Sequence, residues 1–202
     1  MLIHRKLNKF LQRSRLTPAG RPKLTPIIIT DSKGFNLQSQ AFTSAEKDLT
    51  WYCMRGARIR NCREWIRESI DAIIEEEGNI WVYIWAGTCD FTAKNGKYIS
   101  LRTHDTESIV EDFISEANLI IQCVNAHPGY KVTILEVPLY SIVSWNWAAG
   151  IGRDDRERFH DQEKQLEEQI IAVNRKVREL NEASESYSPN KAKFSSDYSS
   201  KI

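Results

Sequence analysis

Hydrophobic residues in this chain follow two alternating patterns: short continuous apolar runs, and longer stretches in which apolar residues recur every three or four positions. The runs lie at residues 26–30 (Pro-Ile-Ile-Ile-Thr), 49–53 (Leu-Thr-Trp-Tyr-Cys), 80–86 (Ile-Trp-Val-Tyr-Ile-Trp-Ala) and 130–137. Their length and their β-branched and aromatic content predict four strands. The run at 80–86 is apolar on both faces, as expected of a central strand covered on both sides. A first helix is predicted where Ile59, Cys62, Ile66, Ile70 and Ile73 share one face, closed by Glu75, Glu76, Glu77 and Gly78. A second is predicted over 105–125 from Ile109, Phe113, Ala117, Ile120 and Val124, with Asp105, Thr106 and Glu107 suited to its positive N-terminus. The last periodic stretch, 154–181, carries Phe159, Leu166, Ile170, Val173, Val177 and Leu180 at heptad-like spacing. Strands alternating with helices predict βαβ units and a mainly parallel sheet, in a three-layer α/β/α arrangement of four to five strands.

At 202 residues, 41% of them hydrophobic, the chain has enough material for one well-buried domain and little for two. We expect a basic flexible arm at 1–25, an α/β domain at 26–182 and a polar tail at 183–202. The net charge of +1 conceals an asymmetry. Arg5, Lys6, Lys9, Arg13, Arg15, Arg21 and Lys23 stand in the arm with no acidic residue among them, leaving the remainder mildly acidic. No run has the length of a membrane span, and the basic start lacks the apolar core of a secretory signal, so an intracellular protein, cytoplasmic or nuclear, is expected. Cys53, Cys62, Cys89 and Cys123 form no Cys-x-x-Cys pair and have no histidine at zinc-ligand spacing. Neither a metal nor another cofactor is expected, and Cys53, Cys62 and Cys123 read as core packing in a reducing compartment. The last helix is expected to dock on the sheet, with a homodimeric coiled coil through residues 159–180 as the other use of its stripe.

The candidate chemistry sits where strands end. Thr30-Asp31-Ser32-Lys33-Gly34 follows the first run, Gly56 follows the second, and Gly87-Thr88-Cys89-Asp90 follows the third. In an open α/β sheet these ends share one rim, where ligands bind. No Gly-x-Gly-x-x-Gly or Walker-type loop follows the first strand, so a nucleotide-binding fold has no support from motifs. The three segments resemble, in order and spacing, the blocks of the SGNH, or GDSL, hydrolases. That resemblance implies a flavodoxin-like α/β fold, Ser32 as nucleophile, and an oxyanion hole built from the Ser32 and Gly56 N–H groups and a side chain at position 89. It further implies that Asp90 ties down the active-site loop through backbone N–H bonds.

The chain departs from the family pattern in ways that bear on activity. Thr30 replaces the first-block glycine, Cys89 replaces an asparagine, and no Asp-x-x-His follows Asn181. A serine nucleophile needs a base, and a cysteine S–H is a poorer donor than an amide. His104, in the loop beyond Asp90, and His160, beside Asp154 and Asp155, are the candidate bases; His4 belongs to the arm, and His127 precedes the fourth strand at the opposite end of the sheet. A fifth strand and an Asp-x-x-His loop would otherwise lie beyond Ile202 or be lost. Asp31 is expected to brace the following helix. Leu139, Tyr140, Ser141, Trp145 and Trp147 are expected either to line an acyl or sugar pocket or to form a lid over the core, and Glu136, inside an apolar strand, requires a partner.

The overall pattern is similar to SGNH-like domains encoded by animal retrotransposons, some of which lack the catalytic set. Two functions follow from that resemblance. One is a serine esterase or acetylhydrolase acting on a small ester. The other is a catalytically degenerate module that binds nucleic-acid phosphates through the basic arm. No membrane partner is expected.

Overall fold

A computed structural model describes residues 24–39, 49–150 and 159–186. Four parallel strands form the main sheet: β1 (Thr25–Thr30), β2 (Thr50–Cys53), β3 (Ile80–Trp85) and β6 (Lys131–Ile134). Their order is β2-β1-β3-β6. Between them run α1 (Lys33–Gln38), α2 (Ile59–Glu77), the short α3 (Thr88–Phe91), the hairpin β4 (Thr92–Asn95) and β5 (Tyr98–Leu101), and α4 (Thr106–Asn125). After β6 come α5 (Ile142–Ala148) and α6 (His160–Ala183).

The parallel register places Ile27 beside Val82 and Ile29 beside Ile84, and in turn Val82 beside Val132 and Ile84 beside Ile134. All six are buried, and together with Cys62, Ile66, Phe113 and Ala117 of α2 and α4 they make the main core. Residues alternate across a strand, so Ile28, Thr30, Tyr83 and Trp85 face the other way. On that second face α1 lies close: a Cβ built on Gly34 would meet Thr30 Cγ2 at 2.0 Å and Cys53 Sγ at 2.8 Å. Helices on opposite faces follow from right-handed crossovers, because the chain steps one way from β1 to β2 and the other way from β2 to β3. The expected three-layer parallel architecture is therefore the observed one.

The predicted strands and long helices are present, with differences at the fourth strand, at a hairpin and at α5, a short helix where the sequence indicates only pocket lining or a lid. The fourth strand is shorter than the apolar run that announces it, ending at Ile134, because Pro138 and the turn toward α5 pull the chain away from β3. The β4–β5 hairpin was not among the expected elements, although Asn95-Gly96 marks it. Gly96 occupies the first position of a two-residue loop with φ +60°, which a glycine adopts without strain.

α6 lies along the free edge of β6 and seals it with amides. Asn181 accepts from the Ile134 N–H at 3.0 Å and donates to the Ile134 carbonyl at 2.7 Å. Asn174 does the same for Val137, at 2.8 Å in each direction. The outward backbone groups of Ile134, which a further strand would need, are thus occupied. Leu166, Ile170, Val173 and Val177, the stripe that would carry a coiled coil, are fully buried against the chain's own core. Glu136 has the partner its position required, Arg178, at 3.1 Å. Among the described residues, no helix is long and apolar enough to cross a membrane.

Candidate functional site

Loops leaving adjacent β1 and β3 diverge, because the chain proceeds from them toward opposite edges of the sheet. That divergence opens a crevice at the C-terminal rim. The two strands are first tied together by the Thr30 hydroxyl, which donates to the Trp85 carbonyl at 2.8 Å.

Asp31, wholly buried, stands at the base of the crevice. Its carboxylate accepts from the Lys33 backbone N–H at 2.9 Å, from the Thr88 hydroxyl at 3.0 Å and from the Lys33 ammonium. Lys33 Nζ also donates to Thr88 Oγ1 at 2.9 Å and lies 5.6 Å from the centre of the Trp85 ring. A buried charge is tolerated only when it is paired and hydrogen-bonded, and this closed triangle meets that condition. Asp31 braces the turn into α1, as expected.

Ser32 follows directly and is exposed. It occupies the cap position of α1 with a helical backbone, φ −58° and ψ −18°, and its hydroxyl makes no capping bond. Among the described residues the hydroxyl has no hydrogen-bond partner. The Ser32 and Gly56 N–H groups likewise have no acceptor there. Gly56 turns the chain after β2 with φ +69°, and nothing would obstruct a Cβ at that point.

Gly87 opens the third block with φ +134°, and a Cβ there would sit 2.6 Å from Val137 Cγ2 and 3.1 Å from Phe113. Only glycine lets β3 turn this tightly into α3 against the core. Asp90, on α3, accepts the Ile59 N–H at 3.0 Å and so fastens α3 to the start of α2. Burial pushes its carboxyl up to about 7, against the opposing influence of that N–H, Arg58 and Arg102. Cys89 is half-buried; burial first, and then the Asp31 carboxylate, push its thiol up, so it is a neutral weak donor at neutral pH.

On the α5 side, Tyr140 closes the crevice by donating to the Thr88 carbonyl at 2.7 Å and meeting Thr92 Oγ1 at 3.1 Å. Ser141 caps α5, accepting from Ser144 N–H at 2.9 Å. Trp145 and Trp147 are exposed at 51% and 60%, while Asn146 between them is buried and bonds both backbone groups of Ile99 at 2.8 Å. The tryptophans therefore stand outward on a helix anchored to the hairpin.

Ser32, Gly56 and residues 87–90 thus share the rim. His4 lies outside the described residues, and the described histidines do not join them through any bond. His104 is exposed and its Nδ1 is engaged by Gln165 of α6. His160 is the exposed first residue of α6, and neither has a bond to Ser32 or a carboxylate among the described residues. His127, near Asp71 at 3.7 Å, is at the opposite end of the sheet. The cations Arg5, Lys6, Lys9, Arg13, Arg15, Arg21 and Lys23 lie outside the described residues.

The roles of Lys33 and Thr88 went unread in the sequence, whereas Tyr140 was expected at this rim. A lysine directly after the candidate serine was the available signal, but its partner Thr88 is 55 residues away.

Several solved structures are similar in fold. A protein described as a platelet activating factor from Streptococcus pneumonia shares 18% identity, with a TM-score of 0.45 over 82% of this chain and 64% of that one. This chain therefore spans less than two thirds of that protein's length. A GDSL-like lipase from Bacteroides thetaiotaomicron VPI-5482 shares 13%, with a TM-score of 0.47 over 91% of this chain and 74% of the other. An acetyl xylan esterase shares 16%, with a TM-score of 0.44 over 78% of this chain and 74% of the other. No protein-family model and no curated protein sequence matches the chain.

Proposed function

We propose that this chain is an SGNH-like serine ester hydrolase domain, with Ser32 as nucleophile and the crevice between β1 and β3 receiving the ester carbonyl. The observation that carries the reading is the presence, at one rim, of an exposed hydroxyl without a partner and of two backbone N–H groups, those of Ser32 and Gly56, without acceptors. Ser32 Oγ bonds to the carbonyl carbon, the alcohol departs with the serine proton, and water then cleaves the acyl-serine and restores the hydroxyl. The two N–H groups are the donors for the oxyanion of each tetrahedral intermediate. The Lys33 ammonium, engaged by Asp31 and Thr88, is a donor rather than a base.

Among the described residues no base touches Ser32, so its proton reaches the departing alcohol through water or a histidine that moves in, and turnover is slow. In serine hydrolases stripped of a triad member, oxyanion donors and binding still supply about 10³–10⁴-fold over water. In the same reading the domain belongs with the SGNH-like modules of animal retrotransposons and works inside the cell; the order of Ser32, Gly56 and residues 87–90, and the cationic arm, support this.

The test is hydrolysis of a nitrophenyl acetate and labelling by a fluorophosphonate, for the chain beside Ser32→Ala. Both signals should vanish in the variant, and Cys89→Asn should raise turnover by about 10- to 100-fold by restoring an amide donor. His104→Gln and His160→Gln then assign the base. Equal background in the chain and in Ser32→Ala would reject the reading and leave phosphate binding by the arm as the function to pursue.

A further inference from the structure

Charge around the mouth of the crevice is distributed in a way that acyl transfer does not require. Arg55 and Arg58 flank Gly56 in the turn after β2, and both are exposed. Arg55 reaches across to α1, its guanidinium 5.6 Å from the centre of the Phe35 ring, which is itself exposed one turn beyond Ser32. Arg58 and Arg102 both act on Asp90. Arg102 is exposed and spans the third block by donating to the Cys89 and Thr92 carbonyls, each at 3.0 Å. Lys33 closes the circuit on the Thr88 side.

The arginines of this ring differ from most others among the described residues, Arg175 of α6 being the exception. Arg60, Arg63, Arg67 and Arg178 each face a glutamate. Among the described residues, Arg55, Arg58 and Arg102 face no carboxylate at ion-pair distance, and they come from two loops far apart in sequence, the turn after β2 and the segment after β5. The carboxylates within the ring, Asp31 and Asp90, are 0% and 9% exposed and already accept N–H bonds, so they present little to solvent. The exposed acids Asp105 and Glu107 stand at the start of α4, and Glu163 and Glu167 line a shallow hollow with Leu139, Tyr140 and Ser141. A concave site ringed by one sign of charge concentrates ligands of the other sign.

We propose that the ring of Arg55, Arg58, Arg102 and Lys33 selects esters bearing an anionic group, a carboxylate or phosphate within reach of the scissile bond. The chemistry rests on the hydrolase reading above; the binding does not. Arg55 and Arg58 are specificity residues under this proposal, reading the charge and not the carbonyl.

The experiment compares 4-acetoxybenzoate with neutral phenyl acetate, by tryptophan fluorescence on Ser32→Ala and by turnover on the unaltered chain. At low salt the anionic ester should bind about tenfold more tightly, with the preference lost near 0.5 M salt, where screening falls within about 5 Å. Arg55→Gln/Arg58→Gln should bring the two esters to near equality while leaving the melting temperature unchanged, and Arg58→Lys should keep the preference. Equal affinity in every protein overturns the proposal. So does binding of neither ester; if a single-stranded oligonucleotide then binds and loses affinity in the double variant, the ring belongs to nucleic-acid phosphates. Selective binding by Ser32→Ala without turnover by the unaltered chain sustains the anionic site and rejects the hydrolase.

Discussion

Asp31 and Thr88 meet across 57 residues of sequence, the threonine hydroxyl donating to the buried carboxylate at 3.0 Å. This bond, with the Lys33 ammonium on both partners, locks together the two loops that form the crevice. Thr88→Val keeps the shape and removes both bonds, so it should cost about 2–3 kcal/mol, the scale of hydrogen bonds to charged groups. Urea unfolding should show a lower midpoint with an unchanged slope. A midpoint equal to that of the unaltered chain would show that the triangle contributes nothing.

Two glycines of the rim should respond differently to a methyl group. Gly87→Ala places Cβ 2.6 Å from Val137 Cγ2 in a backbone conformation of φ +134°, and should cost about 3 kcal/mol or more. Gly56→Ala meets open space and carries only the left-handed backbone cost, about 1 kcal/mol. Thermal unfolding of the pair would settle the order; a larger loss at Gly56 would contradict the packing described for β3 and α3.

Asp90 should make stability depend on pH. Burial raises its carboxyl to about 7 from the ordinary carboxylate range near 4, so between these values the folded chain holds a proton that the unfolded chain has released. The contribution is fully present below about pH 4 and is lost as pH rises through about 7, with a slope approaching 1.4 kcal/mol per pH unit in the interval. Asp90→Asn mimics the protonated form and should flatten this slope in unfolding measured from pH 4 to 8. A slope that persists in the variant must come from another group.

The sealed edge of β6 gives a fourth prediction. Asn181→Leu leaves the Ile134 N–H and carbonyl buried without partners and should cost about 3 kcal/mol. Asn181→Asp should fare no better, because the carboxylate retains the acceptor, loses the donor and opposes the Ile134 carbonyl. Faster amide exchange at Ile134 in both variants would accompany the loss; unaltered exchange would mean that α6 does not cap the edge.

Much of this was legible in the chain. Ile27 and Ile29, and Ile80, Val82 and Ile84, announced strands, and the three-and-four spacing from Ile59 to Ile73 announced α2, because these patterns are local. The rim positions of Ser32, Gly56 and residues 87–90 followed from strand ends. The hairpin was legible too, in Asn95-Gly96, but its strands are short and half-polar. Asn174 and Asn181 share the inward face of α6 with Ile170 and Val177, a sign that polar groups are needed inside; what they bond lies 37 and 47 residues away.

The sequence by itself determined the order of strands and helices, the apolar faces that meet in the core, and the placing of a serine and two glycines where strands end. These are set by periodicity and by backbone constraints that act within a few residues. Only the tertiary structure decided that Asp31 is paired with Lys33 and hydrogen-bonded by Thr88, that α6 and its asparagines cap the edge of β6 at Ile134, that His104 turns to Gln165 instead of Ser32, and that Arg55, Arg58 and Arg102 face no carboxylate among the described residues. Each depends on which distant groups burial forces together, since a charge or amide removed from water must find its partner wherever the fold supplies one.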